Sequence, residues 1–331
     1  MFKRQFISKI FAFLVGLGCI YIAYEYNSKS NTILNGSIYG TYWTLNSTEY
    51  VSDKHSTNIK NILNRIDYIA SNYKEDSEVA IVNNAPLNTF INISEELHYL
   101  IELSTELNTL TNGAYDITLG KISAKNGFSP NFGKDLIIKN DVNNKKYDIN
   151  SFNLIKYQNF WFDLSSLAKG YAVQEIHNYL QENNFKNYLI DIGGEIIANG
   201  LNQGNPWIIG IQDPQLSSNN IILSISNKNL PFLSIATSGE YRNFKYVDGI
   251  LLTHTINPST NKSIKNKLKS VSVVSTVSAD IADAYATALN VMGLSSAMDF
   301  ADKNEIAALF IVDRDGSEKI IKSKKWYDLK L

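Results

Sequence analysis

An α/β fold, in the broad α+β sense, is predicted by three observations on this 331-residue chain. Strand-like and helix-like apolar patterns alternate along it, no internal repeat or Pro-rich or Gly/Ser-rich linker divides them, and the composition is that of a globular protein. With 44% hydrophobic and 19% charged residues, a sizeable core is available and intrinsic disorder is excluded. One domain over residues 31–331 is expected, behind a separate segment at 1–30. Charge is balanced, 31 Lys+Arg against 32 Asp+Glu, which argues against nucleic acid as a partner. A single cysteine, Cys19, allows no internal disulfide. The four histidines (55, 98, 177 and 254) are scattered without zinc spacing, so a metal should be one that prefers oxygen.

The first segment has a basic start (Lys3, Arg4, Lys9), an apolar run over Ile10–Tyr24 and a polar exit, the pattern of an export signal. The run is 15 residues, shorter than the roughly 20 of a full span, although residues from Phe6 extend it and Lys9 can snorkel. Residues 1–30 are therefore expected to be a signal peptide or membrane anchor, with Cys19 as the alternative lipid-attachment point. The basic residues place the start in the cytoplasm and the bulk of the chain on the periplasmic side of the inner membrane.

The domain is expected to open with a strand at 37–48. A helix at 56–71 follows, with Ile59, Ile62, Leu63, Ile66 and Ile69 at helical spacing, and a second at 94–109 buries Leu97, Leu100, Ile101, Leu103 and Leu107. Residues 139–146 read as a loop or hairpin tip. The stretch Asp163–Gly170 leads into another helix, with a cap from Asp or Ser. Next comes a strand at 188–200 broken by Gly193-Gly194, where something should approach the backbone closely. Strands at 207–212, 221–225, 232–237 and 272–275 precede a long helix at 279–292, stopped by Gly293. No G-x-G-x-x-G follows a first strand, against a doubly wound dinucleotide fold.

Four places carry candidate chemistry. Asp283 and Thr287 stand at i and i+4, so one helix face offers two oxygens to a single cation such as Mg²⁺. Alone, Asp283 is as well read as an ordinary carboxylate near the helix N-terminus, favoured by the dipole, beside a neutral Thr287. The strand ending in Ser238-Gly239 is expected to leave hydroxyls and N–H groups free for a ligand, with Arg242 to hold phosphate. His254 stands at a strand end before a turn. Asn112-Gly113 terminates a helix ahead of an exposed Tyr115 and Asp116. None of these decides a function singly.

Their order and spacing do. Tyr39-Gly-Thr41, residues 71–78 with Asn83, Gly113–Thr118, Asp163–Ala172, Asp191-Ile-Gly-Gly-Glu195, Ala236–Tyr241, His254-Thr-Ile-Asn-Pro258 and Ala282–Thr287 together resemble the ApbE family of FAD:protein FMN transferases, also called flavin transferases, over about residues 37–293. The resemblance implies mixed, largely antiparallel sheets flanked by helices, with an FAD cleft between sub-lobes. It implies Mg²⁺-dependent transfer of FMN from FAD to a Ser or Thr hydroxyl of an acceptor redox protein, with release of AMP. FAD pyrophosphatase activity and a non-catalytic flavin-binding lipoprotein are the alternatives. Acceptors of the implied kind are flavoprotein subunits such as those of sodium-pumping NADH:quinone reductase or Rnf-type complexes.

By the same resemblance, Asp283, Thr287 and the main-chain carbonyl of Ser166 are metal ligands. His254 interacts with phosphates or takes the acceptor proton, a role that suits imidazole. Tyr39, Tyr73, Ala114, Tyr115, Asp116, Asp163 and Lys169 contact FAD, with backbone help from Thr255. Tyr39 replaces the methionine of most relatives, putting a flat ring where a thioether is usual. Two further departures are Asn257-Pro-Ser-Thr-Asn261, where the family has Asp-Pro-x-Thr-Gly, and Asn126-Gly127-Phe128, which lacks the usual Trp before Gly-Phe.

Overall fold

The structure is a computed structural model that describes residues 2–28, 31–137, 145–215, 220–239, 244–247, 250–265, 267–314 and 317–331. Residues 139–144 of the expected loop lie outside it, as do Met1, Arg242 and the side chains of Lys3 and Arg4.

At its centre is an eight-stranded sheet whose strands follow one another in chain order. They are β1 (Thr32–Ile38), β2 (Thr41–Ser47), β3 (Tyr188–Ile192), β4 (Glu195–Asn199), β5 (Phe232–Gly239), β6 (Leu268–Ser275), β7 (Ala307–Arg314) and β8 (Ser317–Lys322). Every neighbouring pair is antiparallel. The architecture is the expected mixture of helices and antiparallel sheet.

Two expected single strands are hairpins. β1 and β2 are joined by Tyr39-Gly40, with φ of 53° and 72°. β3 and β4 are joined by Gly193-Gly194, with φ of 65° and 104°. Two positive φ angles in a two-residue loop match the twist of an antiparallel pair, which is why glycine is needed there. What approaches Gly193 is Thr41 of β2: a Cβ on Gly193 would lie 2.7 Å from the Thr41 methyl. Because the sheet is antiparallel throughout, turns 39–40 and 193–194 and the connection 240–267 leave from the same end.

Helices enter as insertions between strands. Between β2 and β3 lie α2 (Asp53–Ala70), α3 (Glu78–Asn84), α4 (Glu95–Leu110), α5 (Gly120–Lys125) and α6 (Ala168–Glu182), numbered after α1 (Phe2–Ser28). Ser52, Ser77 and Ser94 cap α2, α3 and α4 by accepting backbone N–H groups. The apolar stripes expected on α2 and α4 are buried, apart from a half-buried Leu103. Between β6 and β7 lie α7 (Ala279–Met292) and α8 (Leu294–Lys303); α9 (Lys324–Asp328) closes the chain. α7 matches its expected bounds, with Gly293 at φ 72° as its stop. Nothing beyond Gly293 was expected, although the apolar run in β7 is a strand signal.

Alternation along the strands feeds two faces. Val271, Val273, Ala308 and Phe310 pack under α7 and α8, whereas Val274, Leu309 and Ile311 face the hairpin formed by Ile208–Gln212 and Ile221–Ser226, together with Trp326. α2, α4 and α6 close a third core over β2, β3 and β4. α1 contributes to none of them: Phe11, Phe13, Ile20 and Ile22 are exposed. Among the described residues no helix is long and apolar enough to cross a membrane.

Candidate functional site

The site forms where α6 meets α7. Buried Ala279, Ala282, Ala284, Ala286 and Ala288 keep α7 slim enough to lie close to its neighbours. Gly170 on α6 marks the nearest approach, since a Cβ there would lie 2.6 Å from the Ala279 carbonyl oxygen and 2.7 Å from Asp283 Cβ. Its N–H donates to Asp283 Oδ2 at 3.0 Å. An α6 cap by Asp or Ser is not found. Asp163 Oδ1 instead accepts the Ser165 N–H at 3.1 Å, closing its own turn before the helix begins, and the start of α6 is used to hold Asp283.

Asp283 is 5% exposed, and burial pushes its carboxyl above the usual range while the Lys169 ammonium pulls it down. Lys169 Nζ pairs with Glu195 Oε1 at 2.6 Å. Glu195 follows the Gly193-Gly194 turn, is 2% exposed, and is pushed up to about 7 by burial despite Lys169. Its second oxygen, Oε2, is buried with no partner. Two buried carboxyl groups thus share one half-buried ammonium, and negative charge is in excess.

That imbalance is the test of whether a cation fits. Among the described residues no three His, Cys, Asp or Glu side chains gather as a metal cluster. The expected set is a carboxylate (Asp283), a half-buried hydroxyl one turn on (Thr287) and the Ser166 carbonyl. Oxygen donors with a single carboxylate suit Mg²⁺, which keeps waters and substrate oxygens in its shell. A cation beside Asp283 also relieves the burial cost that lifts its carboxyl. The residues present fit the ion.

Ser166 and Tyr115 are brought together, the serine hydroxyl donating to the Tyr115 hydroxyl at 3.1 Å. Tyr115, expected to be exposed, is 1% exposed. Thr111 and Asn108 bond its main-chain N–H and carbonyl, so the chain after α4 turns inward. Asp116 is committed locally, accepting from Thr118 at Oδ1 and pairing with Lys146 at 2.8 Å through Oδ2. The Ala114 N–H donates to the Thr111 carbonyl.

Opposite in character is a rim around Phe128. Tyr73, 68% exposed, donates its hydroxyl to the Phe128 carbonyl. Burial of its inner part, and then the charge of Asp163, raise its pKa. The Phe128 ring lies edge-on to His254 with centroids 6.4 Å apart, and Lys245 Nζ stands 5.5 Å from that ring while donating to the Gly127 carbonyl. The divergent Asn126-Gly127-Phe128 loop therefore joins Tyr73 to His254.

Tyr39 packs its half-buried ring against the main core and donates its hydroxyl to the Leu63 carbonyl at 2.8 Å. Thr255 is buried; its carbonyl accepts the Ile264 N–H, and its Oγ1 has no partner. Asn257 Oδ1 accepts from Ser259 and Thr260, and Asn261 takes φ 55°, so asparagines make the turn that Asp and Gly make elsewhere in the family. Ser238 is not free as expected: its hydroxyl accepts from Asn290 Nδ2 at 3.3 Å, because the α7 side of β5 is covered. Glu195 had been given no role from sequence. A carboxylate directly after the Gly193-Gly194 pair, followed by an apolar run, was the available signal.

The comparisons with known proteins agree with this arrangement. The family model described as "ApbE family" matches residues 39–310. A Vibrio cholerae protein named FAD:protein FMN transferase is 33% identical over 273 residues, 80% of each chain. One of the same name from Haemophilus influenzae is 31% identical over 307 residues, covering 85% of this chain and 86% of that one. The solved flavin transferase ApbE of Vibrio cholerae superposes with a TM-score of 0.77 at 30% identity, over 90% of this chain and 99% of that one. The apo Pseudomonas stutzeri flavinyl transferase ApbE gives 0.78 at 26% identity, over 91% and 96%. With a family model matched over residues 39–310, relatives above 30% identical over most of the chain and the same fold as these solved structures, the chain belongs to the ApbE family.

Proposed function

We propose that this protein is a Mg²⁺-dependent FAD:protein FMN transferase acting on a Ser or Thr hydroxyl of an acceptor redox protein. The observation that carries this reading is the pair of buried carboxylates, Asp283 and Glu195, facing the half-buried Lys169 and short of positive charge, with Asp283 held to α6 through Gly170. Asp283, Thr287 and the Ser166 carbonyl would hold the ion, which when bound would offset negative charge on the pyrophosphate.

Lys169 faces the same phosphates with its ammonium fixed by Glu195. Tyr73 borders the flavin at the open rim, and Tyr39, Ala114, Tyr115, Asp116, Asp163 and the Thr255 backbone contribute to FAD binding. His254 takes the proton of the acceptor hydroxyl as that oxygen bonds to the FMN phosphorus. The P–O bond to AMP breaks, and AMP leaves with the electron pair. Residues 1–30 keep the domain on the periplasmic face of the inner membrane, as an anchor or through lipid on Cys19.

Incubating the protein with FAD and Mg²⁺, with and without an acceptor bearing the target threonine, tests this reading. Acceptor-dependent AMP release with flavin fluorescence on the acceptor band is expected. FMN and AMP formed equally without acceptor would make it a pyrophosphatase, and unchanged FAD a carrier. For location, the full chain should stay in the membrane pellet through salt and carbonate washes; a soluble cytoplasmic pool overturns export.

A further inference from the structure

Upstream of the metal-side turn, one buried side chain makes an unusual pair of bonds. Asn83, near the end of α3, donates from Nδ2 to the Phe162 carbonyl at 2.9 Å and accepts the Phe162 N–H on Oδ1 at 2.7 Å. A single side chain thus replaces a strand neighbour for Phe162, the residue before Asp163. The adjoining peptides are held from elsewhere: the Gly120 N–H donates to the Trp161 carbonyl, and the Asp163 N–H to the Ile117 carbonyl at 2.6 Å.

Asn83 is itself fixed from below by Lys156. This lysine is 1% exposed, and its Nζ donates to the Asn83 carbonyl at 2.7 Å and the Phe160 carbonyl at 3.4 Å. Burial, with Lys121 nearby, lowers its pKa to about 8. An ammonium buried on carbonyls is costly, and here it sits at the C-terminal end of α3, where carbonyls and the helix dipole favour a cation. At its other end α3 is capped by Ser77, whose hydroxyl donates to the Ser71 carbonyl at 2.6 Å, two residues before Tyr73.

We propose that Asn83, seated on Lys156, is a positioning residue that sets the Asp163–Ser166 turn, and through it the Ser166 carbonyl, relative to Asp283. The inference rests on the Mg²⁺-dependent reading above. Asn83 makes no contact with the reacting groups; it acts through Phe162. Removal of a group bonded directly to a ligand costs about 10–100-fold in metal affinity, which bounds the effect of one acting through Phe162.

The test uses the full chain and the variants Asn83→Ala, Asn83→Asp and Lys156→Gln, with Mg²⁺ as the probe. Two quantities are read: amide hydrogen exchange over residues 160–168 with and without Mg²⁺, and the Mg²⁺ concentration for half-maximal FAD cleavage. In wild type, Mg²⁺ alone should slow exchange at 163–167. In Asn83→Ala this slowing should be lost, and the half-maximal Mg²⁺ should rise by up to about 10–100-fold, with the rate recovering at high Mg²⁺. Asn83→Asp, which keeps the acceptor for the Phe162 N–H but loses the donor, should fall between. If Asn83→Ala does not fold, Asn83→Asp and Lys156→Gln carry the same readings. Unchanged Mg²⁺ dependence in a folded variant overturns the proposal, even if exchange at 160–168 speeds up. A wild type that cleaves no FAD overturns the transferase reading instead, and the Mg²⁺-dependent exchange then still judges Asn83.

Discussion

The two sides of the site are built to different standards. On the α6–α7 side, Asp283 and Glu195 are sealed from solvent around a half-buried Lys169, and the packing is so close that Gly170 has no room for a methyl group. On the other side Tyr73 is exposed, and the loop at 126–128, with Lys245 over it, reaches His254 through a ring edge. Charge in a low-dielectric setting is expensive unless its partners are fixed, so the sealed side tolerates little change. An exposed rim spends little on desolvation and can vary. One of the segments that depart from the family pattern, Asn126-Gly127-Phe128, lies on this rim.

The largest expected effect tests the sealed side. Asp283→Asn keeps an acceptor for the Gly170 N–H but loses the charge, so the melting temperature should stay near wild type while turnover falls by at least about 10³-fold. Retained turnover would reduce this pole to structure. His254→Ala on the rim should lower the transfer rate by about 10²–10⁴-fold with FAD affinity little changed. Single-turnover flavinylation followed by in-gel fluorescence measures this, and a wild-type rate would leave the rim without a catalytic group.

Burial also sets a pH dependence outside the site. His177 packs against Phe232 and Tyr188, and burial lowers its pKa from 6.5 to about 4. Below pH 6.5 the unfolded chain takes up a proton that the folded protein refuses until about pH 4. Its share of stability is therefore complete above 6.5, is lost as pH falls from 6.5 to 4, and amounts to roughly 2–3 kcal/mol. Urea unfolding from pH 7.5 to 4 should show this loss, and His177→Phe should flatten it. The smallest change is expected for Thr287→Ala, about tenfold in the Mg²⁺ needed, because water can replace a neutral oxygen. A loss as large as that of Asp283→Asn would contradict a neutral ligand.

By itself the sequence determined α2, α4 and α7, because their signals are local. Serines ahead of Asp53 and Glu95, apolar spacing along α2 and α4, and Gly293 after α7 act within a turn or two of where they are written, whereas the short α3 and α5 show no such stripe and, like the helices after Gly293, were not expected. The i, i+4 relation of Asp283 and Thr287 and the order of the family motifs were legible for the same reason. Pairing was not local, and only the tertiary structure decided it. Tyr39-Gly40 looked like part of one strand and Gly193-Gly194 like the interruption of another, until β1 and β2, and β3 and β4, folded back on each other. Tyr115 looked exposed until Ser166 and the start of α6 were placed over it. The charge imbalance at Asp283 exists only because β4 brings Glu195, and α6 brings Lys169, to a helix more than 80 residues further on. Desolvation depends on what packs around a group, and that is set by contacts between distant segments, so no pattern within any one segment could show it.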